Sequence, residues 1–507
     1  MTLPTTSRAH RIFGGWSANA VQLLLALTQQ IVLIPLFLKY WSGETLSAWL
    51  TIFAAGNLVL AADPGLHVWS LNRFLSFKSK ADCDRRTNRY YSAAFRLFLG
   101  FAGLLAVLIV ALSFARAPSH VLGFEAEPGF DFAFAIMALG STATLPGNLA
   151  SALYRARGRY ARSVGIQSWG MAAGQIGQLV GVIATGSLLV VVLAYVAGLI
   201  VPAMFLMFVD VRKQFPLPSG ERNTISWRWA AVQFLGAFPF SVTNFAEVGL
   251  SYLSVLLIGA FVGDRIAIAQ WALTRTIVNL LRGASTQMVL PIAAELGHDH
   301  AIGARDSLRR LYARGSVVLV LLVSTATSGA LAFWPDFFAL WTHGLIPYNA
   351  TLTITLLLGT CIASPAILAL GYANYSNRGP LLLRVKSAQL VIFLLLSLVL
   401  IPPLGPLGAA IALVASDLVA QGGFLSVVIV GETLKQPVRY GLLLVAMMLI
   451  IVPSGAVLGE VIRHWLPGGG IAHFVIACAA WSVAVAIVAL PLMHREFRER
   501  LITMIPS

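Results

Sequence analysis

The positions best able to do chemistry in this chain are arginines set among apolar residues. Trp271, Arg275, Asn279, Arg282 and Thr286 recur at helical spacing, which places them on one face of a helix. A guanidinium is a planar fork of donors suited to phosphate or carboxylate. The stripe would therefore bind an anion, with Arg275, Asn279 and Arg282 as substrate contacts, or pair with acids. Two guanidinium groups facing lipid would be very costly, so the stripe should face protein or water. The preceding apolar run carries a second polar stripe, Asn244, Glu247, Ser251 and Ser254. Counting outward from Asp264 places Glu247 level with Arg282 and predicts an ion pair, structural or coupling, across that hairpin. The same count places Arg275 level with Tyr252 to Ser254. Arg275 would then hold a ligand anion or take an acid from another helix.

Amides form a second set. Asn19, Gln22 and Gln29 share a face of the first apolar run, with Gln30 beside them; Gln167, Gln175 and Gln178 lie in the fifth. Amides at this spacing suit sugar hydroxyls, or they hydrogen-bond between helices. Asp63 and Asp417 are candidates for proton or cation coupling, or for buried structural networks, and Asp63-Pro64-Gly65 could mark a helix end. No Lys follows a Gly, and neither HExxH nor GxSxG occurs. A P-loop ATPase, a zinc protease and an α/β-hydrolase are thereby disfavoured, and no cofactor or metal is called for.

The elements that must position these residues follow from composition. The 507 residues are 58% hydrophobic and 11% charged, where a soluble protein carries about a quarter charged residues. Apolar runs of about 20 residues match the length of a membrane-crossing helix. They fall near 14–38, 46–69, 92–115, 131–153, 163–185, 188–209, 240–262, 266–290, 315–334, 350–372, 386–401, 406–430, 440–461 and 471–491. The expectation is an all-α polytopic membrane protein of about 14 transmembrane helices, the first of them retained rather than cleaved as a signal peptide. Most of the 35 Lys and Arg fall in loops on one side. That asymmetry predicts both termini in the cytoplasm and accounts for the net charge of +15 without nucleic acid, through contact with anionic membrane lipids. Cys83, Cys361 and Cys478 are too far apart in sequence for a disulfide framework or a metal site.

The phrases "YRARG" (Tyr154 to Gly158) and "YSNRG" (Tyr375 to Gly379) echo one another at a shift of about 222 residues. The same shift brings Trp49 onto Trp271, Asn57 onto Asn279, Tyr90 onto Tyr312, Gln167 onto Gln389 and Asp210 onto Glu432. An even number of crossings per copy predicts two parallel six-helix lobes, 1–213 and 214–435, plus a C-terminal helix pair in 436–507. Each phrase would be the cytoplasmic turn after a lobe's fourth helix. Its Arg would meet lipid phosphate or cap the preceding helix, and its Gly would let the chain turn. Two facing lobes would make a carrier's cleft.

The stretch "PLFLKYWSGETLSAWLTIFAAGNLVLAADPGL" (Pro35 to Leu66) resembles the first helical hairpin of bacterial polysaccharide flippases of the Wzx type, within the multidrug/oligosaccharidyl-lipid/polysaccharide exporter (MOP) superfamily. The features that carry it are Tyr40 to Glu44, Trp49, Asn57 and the Asp-x-Gly-Leu at Asp63 to Leu66, with Tyr90-Tyr91 and "YRARGRY" further on. Ser47-Ala48 departs from the family's aromatic and Gly. The resemblance implies a MATE-like fold in the bacterial inner membrane and translocation of undecaprenyl-pyrophosphate-linked oligosaccharide, an O-antigen or exopolysaccharide unit of lipopolysaccharide or polysaccharide biosynthesis. It leaves room for H+ or Na+ coupling and for a polysaccharide polymerase and chain-length regulator as partners. A cation-coupled multidrug exporter of the same superfamily and a membrane enzyme of glycan assembly are the competing readings. The short outer loops disfavour an enzyme, and the arginines favour an anionic cargo.

Overall fold

A computed structural model describes residues 21–489 except 23, 26–27, 64, 80–85, 158, 216–225, 302, 377, 467 and 469. The described chain is helical throughout, without strands. Helix α1 covers 28–40, opening with the π-helical turn Thr28–Val32; α2 is Gly43–Ala61, α3 Leu66–Ser79, α4 Arg86–Ala115, α5 Phe130–Ala156, α6 Tyr160–Thr185, α7 Leu188–Gln214 and α8 Trp227–Phe261. There follow α9 Ile266–Ala301, α10 Arg305–Trp341, α11 Ala350–Tyr375, α12 Gly379–Leu404, α13 Pro406–Thr433, α14 Pro437–Trp465 and α15 Ile471–Ala489. Among the described residues, 11 helices are long and apolar enough to cross a membrane. The long helices α6 and α9 carry the glutamine and arginine stripes. Two helices outrun the apolar runs that signalled them: α8 begins at Trp227 rather than 240, and α10 begins at Arg305 rather than 315. Hydropathy marks only what lipid touches, and backbone hydrogen bonding carries a helix on past it. In the opposite sense, the single run 46–69 is split at Asp63 and Gly65 into α2 and α3. The first apolar run, 14–38, is described only from residue 21.

Side-chain exposure agrees with a bilayer. Helix α4 exposes Leu104, Val107, Leu108, Leu112 and Phe114, a face that only lipid or another protein would solvate favourably. Helix starts are capped: Ser42 accepts from Thr45 N at 3.1 Å, Ser226 from Trp229 N at 3.2 Å, and Asn349 from Leu352 N at 3.0 Å.

The chain divides into two compact units, 1–265 and 266–507. In the first, Phe74, Tyr91, Phe98, Leu149, Leu153 and Leu206 form a core. Helix α8 belongs to this unit because α2 and α3 hold it. On α8 the buried Gln233 accepts from Trp69 Nε1 at 2.8 Å and from the Tyr90 hydroxyl at 3.1 Å. The contact boundary therefore falls one helix later than the boundary of the sequence repeat. In the second unit, Leu296, Tyr312, Leu319, Val385, Leu425 and Tyr440 form the core. There α14 and α15 lie against α10, with the Trp481 indole donating to Gly455 O at 2.9 Å and its ring 6.2 Å from Phe333.

The repeated phrases lie near acids in register but make different contacts, with Tyr375 of the second exposed. Tyr154 is buried and donates its hydroxyl to Asp210, which also takes Arg162 in a two-pronged contact at 2.6 and 2.9 Å. Arg157 donates to Thr87 Oγ1 at 2.7 Å. In the other unit Arg378 pairs with Glu432 and lies over the Tyr372 ring at 5.7 Å. The expected lipid phosphate or helix carbonyl is thus replaced, for Arg378, by an acid at the end of α13, and Glu432 stands in register with Asp210.

The tight hairpin of α6 and α7 depends on small residues. A Cβ on Gly198 would sit 2.4 Å from Gly174 N, closer than two non-bonded atoms allow. Gly198→Ala should therefore push α7 from α6 and cost roughly 1–3 kcal/mol. A lowered thermal unfolding midpoint of the purified protein is the expected reading; an unchanged midpoint would mean that the two helices separate freely.

Candidate functional site

In the first unit, the break between α2 and α3 builds a polar pocket of about 430 Å³, lined among others by Asn57, Asp63, His67, Asn148, Gln167 and Asn244. Gly65 makes the break possible. Its φ is +69°, and a Cβ there would lie 2.6 Å from both Ala237 O and Ser241 N of α8, so only glycine fits. The turn aims Asp63 inward. That carboxylate is buried and accepts from Gly65 N, His67 Nδ1 and Asn148 Nδ2, each at 2.9 Å. Asn148 is presented by the interruption of α5 at Leu145 and Pro146, and Gln167 donates to Ser151 Oγ at 3.0 Å. Because Oδ1 takes one donor and Oδ2 two, protonating Asp63 would turn an acceptor into a donor and displace a partner. The pocket can exchange a proton or cation only by loosening this knot, while its amides can bind hydroxyl groups.

The amides of α1 and α6 meet each other. Gln29 and Gln178 exchange two hydrogen bonds, at 3.2 and 2.7 Å; Gln175 donates to Leu25 O at 2.6 Å, and Gln22 Nε2 lies 3.8 Å from Met171 Sδ. The sugar-binding role expected for Gln22, Gln29, Gln175 and Gln178 thus gives way, in this arrangement, to a clamp between helices. Asn19 lies outside the described residues.

In the second unit the arginine stripe of α9 separates into two environments. Arg275 is buried, with its guanidinium 5.4 Å over the ring of Trp271, one turn earlier. This cation–π contact contributes about 0.5–2 kcal/mol and fixes the fork within the protein. Asn279, next along the stripe, is exposed. Arg282 pairs with Asp417. The sequence expectation set Arg282 level with Glu247, which lies exposed on α8 in the first unit; within the second unit the shape of α13 supplies Asp417 as its acid. Asp417 opens the π-helical stretch Asp417–Leu425, whose wider turn interrupts the usual helical register. Asp417 is buried and also takes the amides of Gln389 on α12 and Gln421 on its own helix, the latter at 3.1 Å; Gln421 further donates to Gln389 Oε1 at 3.0 Å.

Sequence reasoning missed His67, Asn148, Gln389 and Gln421 as parts of these clusters. One signal was present for Gln389, since the repeat aligns it with Gln167, and both amides turn out to serve polar clusters. The others are joined only by the fold.

No family model and no curated protein matches this chain. Solved structures do. A lipid II flippase, MurJ, in an inward closed conformation matches with a TM-score of 0.70 at 11% identity, covering 96% of this chain and 100% of its own. A MATE-family multidrug resistance transporter of the MOP superfamily, facing inward, matches with 0.62 at 13% identity, covering 77% and 91%. A MOP-superfamily transporter from Pyrococcus furiosus, described as having a binding pocket of reversed polarity, matches with 0.52 at 14% identity, covering 82% and 92%. The chain therefore has the all-α, polytopic, MATE-like fold of these transporters.

Arg282 and Asp417 should depend on each other. Arg282→Ala strands a buried carboxylate, and Asp417→Ala strands a half-buried guanidinium, each at about 2–4 kcal/mol. In the double variant the loss should fall short of the sum by roughly 1–3 kcal/mol. Unfolding midpoints of the four purified proteins check this; strictly additive shifts would show that the pair contributes nothing as a pair.

Proposed function

We propose that the protein is a flippase carrying an oligosaccharide linked to a polyprenyl pyrophosphate, of the undecaprenyl kind, from the cytoplasmic to the outer leaflet of a bacterial inner membrane by alternating access. The observation that supports this most is the extent of the likeness. The lipid II flippase takes in 96% of the chain, whereas the MATE-family multidrug resistance transporter and the Pyrococcus furiosus MOP-superfamily transporter take in 77% and 82%. A fold that includes the C-terminal helices suits a lipid-linked cargo better than a small drug.

The residues are compatible with that cargo. A pyrophosphate requires cations, and α9 supplies Arg275 and Arg282. The glycan requires polar walls, and the pocket around Asn57, Asn148 and Gln167 supplies them. The lipid tail can remain in the bilayer. The basic loops set both termini in the cytoplasm. Asp63 and Asp417, each buried with several donors, are the places for H+ or Na+ coupling, and a polymerase and chain-length regulator would receive the product. The second reading is a cation-coupled multidrug exporter, which the likeness to the MATE-family multidrug resistance transporter favours. The buried Arg275 argues against it, because a cationic drug is better matched by acids.

Arg275 tests the cargo. Arg275→Lys keeps the charge but loses the fork, and should reduce transport partly; Arg275→Ala should reduce it further, by about tenfold or more if one charge-assisted contact is lost. The assay is surface glycan in a strain lacking its own flippase gene, normalised to protein in the membrane. Full activity of a normally expressed Arg275→Ala would remove this arginine from the cargo path. Transport of cationic drugs without glycan export would favour the exporter.

A further inference from the structure

In the second unit, the turn regions around 301–305 and 375–379 and the end of α13 enclose a pocket of about 330 Å³. His300, Arg305, Arg309 and Arg378 line it, with Glu432 as the acid among its described lining residues. The donors are incompletely used. Tyr372 Oη lies 2.9 Å from His300 Nδ1, which leaves Nε2 of that ring. Arg309 donates Nε to Thr433 O at 3.2 Å and Nη1 to Asp306 at 3.0 Å, leaving Nη2. Arg378 is held by Glu432 and by the Tyr372 ring. Arg305 is exposed; its backbone N–H donates to Gly303 O at 2.9 Å, and its guanidinium has no hydrogen-bond or ion-pair partner among the described residues.

The first unit shows what this place looks like when closed. There Asp210 is buried, gripped by Arg162 and Tyr154. In the second unit the acid in register, Glu432, has a side chain 53% exposed and stands at the rim of a cavity. The acid in register is thus opened to the surface in the second unit, where Arg378 holds it rather than a counterpart of Arg162. Three guanidinium groups against two carboxylates, Glu432 and the Asp306 held by Arg309, leave a net positive pocket. Forked donors converging on a small concave space recognise phosphate oxygens.

We propose that this pocket is a phosphate-group site at the basic end of the bundle, separate from the arginine stripe of α9 and independent of the cargo reading. Two sources share that chemistry: the headgroup of an anionic phospholipid, which basic pockets between membrane helices can hold, and soluble phosphate.

The test uses the full chain purified in neutral detergent. Native mass spectrometry measures binding of phosphatidylglycerol, with phosphatidylcholine as control, and titration calorimetry measures inorganic phosphate. Arg305→Gln should weaken binding about tenfold, Arg305→Lys less. Arg439→Gln, an exposed arginine at the same end outside the pocket, should change little. The Arg305 guanidinium has no partner to lose, so the unfolding midpoint should hold. Selective retention of phosphatidylglycerol assigns the site to a lipid headgroup; binding of inorganic phosphate with the same dependence on Arg305 assigns it to a soluble ion. Equal weakening by Arg305→Gln and Arg439→Gln would reduce the effect to diffuse surface charge and overturn the proposal, as would binding of neither ligand by the unaltered protein.

Discussion

The cost of a polar group in hydrocarbon governs this molecule. Water is not there to satisfy a buried amide or carboxylate, so each must find its partner on another helix or at a break in its own. Asp63 does so through the turn at Gly65 and the interruption of α5 that presents Asn148. Asp417 does so through a π-helical stretch and two glutamines. In both cases the irregular backbone and the buried acid occur together. The helix is broken or widened where the charge must be gathered in, and α7 widens likewise over Phe205–Asp210, which ends on the buried Asp210.

The same constraint decides what the sequence could reveal. Apolar run length is a local property, so the 11 helices among the described residues that are long and apolar enough to cross a membrane could be read from composition. The partners of a polar residue are not local. Arg282 meets Asp417 from 135 residues away, and depth counting from one turn could find only candidates on the adjoining helix. The amides of α1 and α6 were legible in the sequence as contacts either to sugar or between helices. Whether they met sugar or one another depended on the packing of α1 against α6, which spacing along one chain segment does not encode. The break at Asp63 was visible as Asp-Pro-Gly, but the donors that converge on it were not, because His67 and Asn148 look ordinary in their own segments.

The two turn phrases show how one element can be used in two ways. In the first unit Tyr154 and Arg162 hold Asp210; in the second, Arg378, lying over the Tyr372 ring, holds Glu432. In the first unit the acid is buried and saturated, since Asp210 takes three donors from two side chains. A saturated ion pair binds nothing else. In the second unit the acid is exposed and its neighbours keep donors in reserve. Duplicated elements can diverge in this way at small cost, because the packing that holds the helices, such as Tyr312 and Tyr372 at 6.3 Å between rings, does not depend on the acid.

A carrier needs polar groups that change partners, and a bundle needs polar groups that keep them. The clusters here can be ordered on that scale. The Gln29–Gln178 exchange is reciprocal and has no charge to trade, so it belongs to the bundle. The Arg282 network has a half-exposed guanidinium against a buried carboxylate, so the arginine can leave for another anion only if Asp417 keeps its two amides or takes up a cation. Asp63 is held in the same way, by three donors. A buried acid that is stable only while its donors stay would tie any uptake of an ion to local rearrangement. Two such acids, one in each unit, suit the coupled transport proposed above.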